Sequence, residues 1–390
     1  MGYFVPELGY QEYYLAKKHA AMGHEVYVIA SDRLYPFPNI ENMLKEAGIK
    51  NTSRKRDVGL STLEGIKVYR LKSYFEYADF ILCFGLKGVL EKIKPDVVIA
   101  HESRQGLTAL GAWYKKRFGY KLIVDQHDFH HKIPGHPKYK KILRYLDYFL
   151  FRKFLVNYSF GKADRIVAVT DETKDFLVRV HRLDPKNVLM IPLGVDTDSF
   201  KFDKIGRIQI RKKFNIKDND VVFTFSGTIV RRKGLELLIN AFSELKEKNT
   251  KLMIIGTGDS LYMQELKSLA KSNGIDDRCL FTGFIKKNRI KKFFSASDVG
   301  VWPGNNSVSI IEAMACRLPI VMVDLQLTHL VGYGNGLYFP MHDKESLKKC
   351  LRFMAVNRNK RIEMGKAGFN AVIKNYGYEK IAEEFIKISK

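Results

Sequence analysis

Short apolar runs recur along almost the whole chain, and segments with helical spacing separate them. The runs fall at residues 25–30, 67–71, 96–101, 121–127, 165–170 and 187–192, then at 221–227, 251–256, 279–283, 299–303, 319–324 and 336–340. Most are continuous rather than alternating, the mark of parallel strands buried on both faces. Helices are expected between them, among others at 11–22, 105–117, 233–247, 260–273 and 308–316. Repeated strand–helix units build parallel sheets with right-handed crossovers. The chain is therefore read as an α/β protein. An apolar share of 46% and a charged share of 28% exclude a disordered or collagen-like chain.

The strand series pauses at 193–198, and a polar, basic stretch runs on to about residue 220. Two doubly wound, Rossmann-like domains are expected, 1–195 and 196–375, facing each other across a ligand-binding cleft. The front end is unusual. Residues 3–10 look like the phosphate-facing loop that follows the central first strand of such a domain, yet almost nothing precedes them. A truncated first strand is expected; a domain with simply one strand fewer is the alternative.

Lys and Arg number 66 against 42 Asp and Glu, a formal charge of +24. Such an excess favours polyanions: nucleic acid, an anionic membrane face or a phosphorylated small molecule. The four cysteines, Cys83, Cys279, Cys316 and Cys350, form no CxxC pair. Neither a zinc ribbon nor a disulfide framework is expected, which fits a reducing compartment. No apolar run reaches the ~18 residues that span a bilayer, and no signal peptide is recognisable. A cytoplasmic location is expected. Residues 138–160 interleave Lys and Arg with Tyr, Phe and Leu. Two readings of this segment stand side by side. It is either a helix resting on the anionic inner face of a membrane, or a core-facing helix with a solvated basic face.

The most specific segment is 299–321, VGVWPGNNSVSIIEAMACRLPIV. A strand, a small polar loop and a helix carrying Glu312 follow one another. Backbone N–H groups at a helix N-terminus favour a phosphate, and Glu312, about a turn further in, is placed to accept ribose hydroxyls. This segment resembles the donor site of the family four (group 1) glycosyltransferases, retaining enzymes of the GT-B fold. Residues 225–239, FSGTIVRRKGLELLI, resemble the family's glycine-then-lysine segment, and 251–259 and 280–285 resemble its next two strands and their loops. Residues 163–169, 192–196 and 21–28 also fall in the family's order. Residues 376–390 resemble its terminal helix, which crosses back to the N-terminal domain.

The resemblance implies roles residue by residue. Arg232 and Lys233 would hold the donor diphosphate. Asn305, Asn306, Ser307, Val308 and Ser309 would supply N–H groups and hydroxyls. Gly9, Gly227, Gly256 and Gly283 would let backbone approach the nucleotide sugar. His127 would touch the sugar. The family usually has a pair of glutamates here; Glu312 is the second, and Gly304 stands at the first position. Arg317 and Thr228 also depart from the usual glycine and arginine.

The expected activity is retaining transfer from a nucleotide sugar to a glycan or lipid-linked acceptor, in cell-surface polysaccharide or glycoconjugate synthesis. No resident cofactor or metal is expected. His127 and His131 have chelating spacing but lead into Pro134-Gly135 and read as loop. The Asp-x-Asp triplets at 196–198 and 218–220 read as turns. An epimerase or another enzyme of the same fold is the nearer alternative. A basic nucleic-acid-binding protein is the distant one, and it lacks any RNA-binding or helix-turn-helix signature, so no nucleic acid partner is expected.

Overall fold

The computed structural model describes residues 2–6, 9–36, 40–46, 48–77, 79–127, 147–304, 307–325 and 330–390. Contacts divide the chain into two compact units, Met1–Leu193 with Tyr378–Lys390, and Gly194–Gly377. Each apolar run named above forms a strand, displaced by at most two residues at either end.

The second unit holds one six-stranded parallel sheet. Its spatial order is Cys279–Gly283, Thr250–Ile255, Val221–Ser226, Val299–Trp302, Ile320–Val323, Gly336–Phe339. All five pairings are parallel. The order reverses between Val221–Ser226 and Val299–Trp302, so a crevice opens beyond the carboxyl ends of these two strands. The strands Val221–Ser226, Val299–Trp302 and Ile320–Val323 are buried at every position, as their continuous apolar runs require. The polar, basic stretch before residue 220 contains a helix, Lys204–Lys213. Asp203 caps it by accepting from the Gly206 N–H at 2.7 Å, and Arg207 and Arg211 reach Asp298 at 2.9 and 3.3 Å.

The first unit is built in pieces. Strands Val97–His101, Lys121–Gln126, Arg165–Ala168 and Val188–Met190 form a parallel sheet. Separately, Tyr27–Ser31 pairs in parallel with Ile66–Leu71, which pairs antiparallel with Gly59–Leu63. A hairpin, Ser73–Tyr77 with Phe80–Cys83, was not expected. Residues 3–5 are buried but form no strand. The last helix, Tyr378–Ser389, packs Ile381, Ala382 and Phe385 against Leu15, Ile123 and Val167 of this unit. Burying Ile381 and Phe385 contributes roughly 1.5–3 kcal/mol each.

Within 138–160, the residues before 147 lie outside the described residues. The rest continues into the helix Lys153–Lys162, which turns Val156 and Phe160 into the core. Arg152 is buried between Asp79 and Asp147, at 2.6 and 2.7 Å. Core packing absorbs much of the apolar stripe in this part, although Phe154 is 74% exposed. No helix among the described residues is long and apolar enough to cross a membrane.

Candidate functional site

In the second unit, glycines at the strand ends let four backbone segments meet. Gly227 follows Val221–Ser226 with φ at +153°, and Gly256 follows Thr250–Ile255 with φ at +136°. A Cβ at Gly256 would fall 2.0 Å from the Gly227 carbonyl oxygen. Gly283 ends its strand at φ +71°, and its carbonyl accepts from the Gly256 N–H at 3.0 Å. Gly304 lies against the short turn Arg231–Lys233; a Cβ there would sit 2.3 Å from the Arg232 carbonyl oxygen. A side chain at position 304, such as the glutamate usual in the family, would require that turn to shift.

The turn Arg231–Lys233 sorts its three cations. Arg231 pairs with Glu265 at 2.5 Å and Glu236 at 3.3 Å. Arg232 forms no ion pair with a described residue. Lys233 is 6% exposed; burial, with Arg232 beside it, pushes its ammonium down to about 8. A charge held in so dry a place gains much from an arriving anion.

The helix Val308–Ala315 starts at the reversal point of the sheet. It is tied down internally: Ser309 Oγ donates to the Ser226 carbonyl at 2.7 Å, and Trp302 Nε1 donates to the same oxygen at 3.1 Å. Ser307 Oγ lies 2.9 Å from Ser309 Oγ. Ser309 therefore anchors the loop with the hydroxyl that sequence reasoning offers to a ligand. Val308 is half exposed at the helix start; Asn305 and Asn306 lie outside the described residues. Glu312 is 3% exposed and pairs with Lys287, whose ammonium also lies 5.3 Å from the Phe200 ring centre. Lys287 escaped the sequence reading, because only the fold brings it to Glu312.

The first unit contributes a different cluster. His127 directly follows Lys121–Gln126, and its Nε2 lies 2.8 Å from Asp125 Oδ2. His101 Nδ1 lies 2.8 Å from the same oxygen. Gln11 Nε2 donates to it at 3.3 Å, while the buried Oδ1 has no partner among the described residues. Asp125 is fully buried. Burial pulls its carboxyl up, but the two imidazoles outweigh that and hold it well below the usual range. Burial alone would lower His127; Asp125, then Glu102 and Glu12, reverse the effect and raise it to about 9. Asp125 thus favours the protonated form of His127. The ligand-type atoms of His101, Asp125 and His127 lie within 4.8 Å of one another, the arrangement among the described residues most able to chelate a cation. Here both rings share one carboxylate oxygen through hydrogen bonds. His131 lies outside the described residues.

His101 was missed by sequence reasoning. It sits opposite Asp125 in the parallel register, and two neighbouring strands ending in histidine were the available signal. Gly9 adopts φ +65° in a turn closed by its N–H to the Pro6 carbonyl, and a Cβ there would lie 2.9 Å from Tyr14 Oη.

Comparison with known proteins matches two family models. Residues 11–199 match "Glycosyltransferase Family 4", and residues 206–371 match "Glycosyl transferases group 1". An uncharacterised glycosyltransferase of Methanocaldococcus jannaschii is 26% identical, covering 99% of this chain and 96% of the relative. Sucrose-phosphate synthase from Thermosynechococcus elongatus superposes with a TM-score of 0.70 at 18% identity, over 97% of this chain and 91% of that one. Anabaena HepE, solved with UDP and glucose, superposes at 0.67 with 15% identity, over 97% and 95%.

Proposed function

Because the chain belongs to the family 4, group 1 glycosyltransferases of the GT-B fold, we propose that it moves a sugar from a nucleotide-sugar donor, with retention of anomeric configuration, to a glycan or lipid-linked acceptor. The observation that carries this reading is the backbone seam of Gly227, Gly256 and Gly304 beside two cations and the buried Glu312. A diphosphate beside Arg232 and Lys233 would find one exposed guanidinium and one poorly hydrated ammonium. Both stabilise the charge that grows on the leaving phosphate. The N-terminus of Val308–Ala315 adds its aligned N–H groups. Glu312 would exchange its Lys287 partner for ribose hydroxyls. His127, whose protonated form Asp125 favours, would contact the sugar, as the family resemblance implies.

HepE is described as binding UDP and glucose, which favours a uridine nucleotide as the first donor to try. Transfer in cell-surface glycan synthesis, from the cytoplasmic side, is the setting we infer. The test is a thermal-shift screen against UDP-, GDP- and ADP-sugars, followed by NMR of the transfer product. Stabilisation by one nucleotide class and an unchanged anomeric configuration are expected. No response to any nucleotide, or an inverted product, defeats the proposal.

A further inference from the structure

The second unit contains a cavity of about 460 Å³ at the amino ends of its central strands. Val221 opens one strand, Asp298 precedes a second and Pro319 a third, and all three residues line it. Gly227 and Gly304 of the nucleotide seam follow the other ends of these strands. Along Val221–Ser226, at about 3.3 Å per residue, the two places lie roughly 20 Å apart.

Five cations line the cavity: Arg207, Arg317, Arg358, Arg361 and Lys366. Three carboxylates accompany them, Asp218, Asp220 and Asp298, which leaves a surplus of two positive charges. Asp298 is fully engaged. Its Oδ1 accepts from Arg207 at 2.9 Å, and its Oδ2 accepts from the Val222 N–H at 2.8 Å and from Arg211 at 3.3 Å. Asp220 Oδ2 accepts from the Lys217 N–H at 2.8 Å. The other four cations, Arg317, Arg358, Arg361 and Lys366, form no ion pair with a described residue. Arg361 is half-buried and uses only Nη1, which donates to the Met354 and Ala355 carbonyls. Burial lowers its pKa; Asp298 offsets this in part, while Arg358 and Arg207 press it further down. The guanidinium stays charged, so an arriving anion would relieve that repulsion.

Arg317 departs from the family's usual glycine and adopts φ +66°. The Leu318 N–H donates to the Ala313 carbonyl at 3.0 Å and the Arg317 N–H to the Met314 carbonyl at 2.9 Å, the paired bonds that end a helix on a left-handed residue. Glycine adopts that conformation freely, an L-residue only at a cost. A cation at a helix C-terminus offsets part of the cost, yet that does not explain three more unpaired cations at the same cavity. The Arg317 backbone is held in place by the helix Arg358–Ala371: a Cβ at Gly365 would lie 2.2 Å from the Arg317 carbonyl oxygen. Phe202, Leu318 and Ile362 add apolar surface to the lining. We propose that this cavity binds a phosphomonoester, its phosphate among Arg317, Arg358, Arg361 and Lys366 and its carbon body on that apolar surface. The near-dianionic phosphate matches the surplus of two charges. The site is separate from the nucleotide seam and does not rest on the transferase reading.

The test is calorimetry with phenyl phosphate and with inorganic phosphate at constant ionic strength. The parent chain is titrated beside a variant carrying Arg232→Ala and Lys233→Ala, whose nucleotide seam lacks its cations. Both are expected to bind phenyl phosphate equally, and more tightly than inorganic phosphate. Arg317→Gly is expected to weaken binding about tenfold or more while Tm is kept, because glycine suits the left-handed position. Arg358→Ala, at an exposed residue, is the second variant, with a loss of similar size expected. No binding to the parent chain, or unchanged affinity in both arginine variants, overturns the proposal. So does loss of binding in the Arg232 and Lys233 variant, since the phosphate would then sit in the seam. Vesicles containing phosphatidic acid distinguish the source of the phosphomonoester. A lipid headgroup is indicated if the parent chain sediments with them and Arg317→Gly does not, a free small molecule if neither does.

Discussion

The two units solve the same architectural problem differently. In the second unit, six parallel strands lie in one uninterrupted sheet, and the site at its reversal point is made of backbone. Glycines there allow approaches that no Cβ would survive. In the first unit, the sheet is divided, and the site at its strand ends is made of charge: one buried carboxylate between two imidazoles. Steric exclusion defines the first kind of site and electrostatic balance the second. The two should therefore fail in different ways.

The largest effect should come from forcing a side chain into the seam. Gly304→Glu restores the family's usual carboxylate, yet its Cβ would lie 2.3 Å from the Arg232 carbonyl oxygen. The variant is expected to lose about 3 kcal/mol or more in denaturant unfolding and to bind nucleotide worse. A stable variant with improved donor affinity would show that the seam is looser than described. Next in size are the cations. Arg232→Ala and Lys233→Ala should each weaken nucleotide-sugar binding by roughly tenfold or more in calorimetry. Each should move Tm by only about 2 °C: Arg232 is exposed, and the buried Lys233 ammonium is held at a desolvation cost that its removal relieves.

Smaller and opposite in sign are the pH responses. His127 has a folded-state pKa raised to about 9. Its stabilising contribution is complete below the unfolded value of about 6.5 and is lost as pH rises through 9. The first unit should weaken over that window by up to about 3 kcal/mol, and Asp125→Asn should flatten the slope. Lys233 is lowered to about 8, so the folded second unit binds fewer protons than the unfolded chain between about 8 and 10.5. That unit should gain stability as pH rises from about 8 to about 10.5, so the two slopes oppose each other between about 8 and 9. Trp302, buried in the second unit, offers a fluorescence probe of it; parallel slopes in both units would erase the contrast. Smallest is a linked proton: nucleotide binding at pH 8 should take up about half a proton at Lys233, read by calorimetry in buffers of different ionisation enthalpy.

What the sequence disclosed follows the same division. Strands buried on both faces announce themselves as continuous apolar runs, and all twelve named from the sequence are strands. Gly59–Leu63 and Ser73–Tyr77 escaped because they are largely exposed, so no apolar run marks them. Lys204–Lys213 escaped because its arginines are held by Asp298, remote in sequence. Glu312, Arg232 and Lys233 were legible from a local strand–loop–helix pattern. His101 and Lys287 were not, since each meets its partner, Asp125 or Glu312, only after crossovers bring the strand ends together.

The helix Tyr378–Ser389 belongs to the first unit, although the whole of the second unit precedes it in the chain. On the ribosome this imposes a schedule. The first unit emerges early but lacks Ile381 and Phe385, which cover its Ile123 and Val167. It must wait for residues 194–377 to be translated, roughly ten to forty seconds at ordinary elongation rates. The second unit carries all its strands in one stretch and can be finished first. The half of the protein that is made first is thus the half that is completed last.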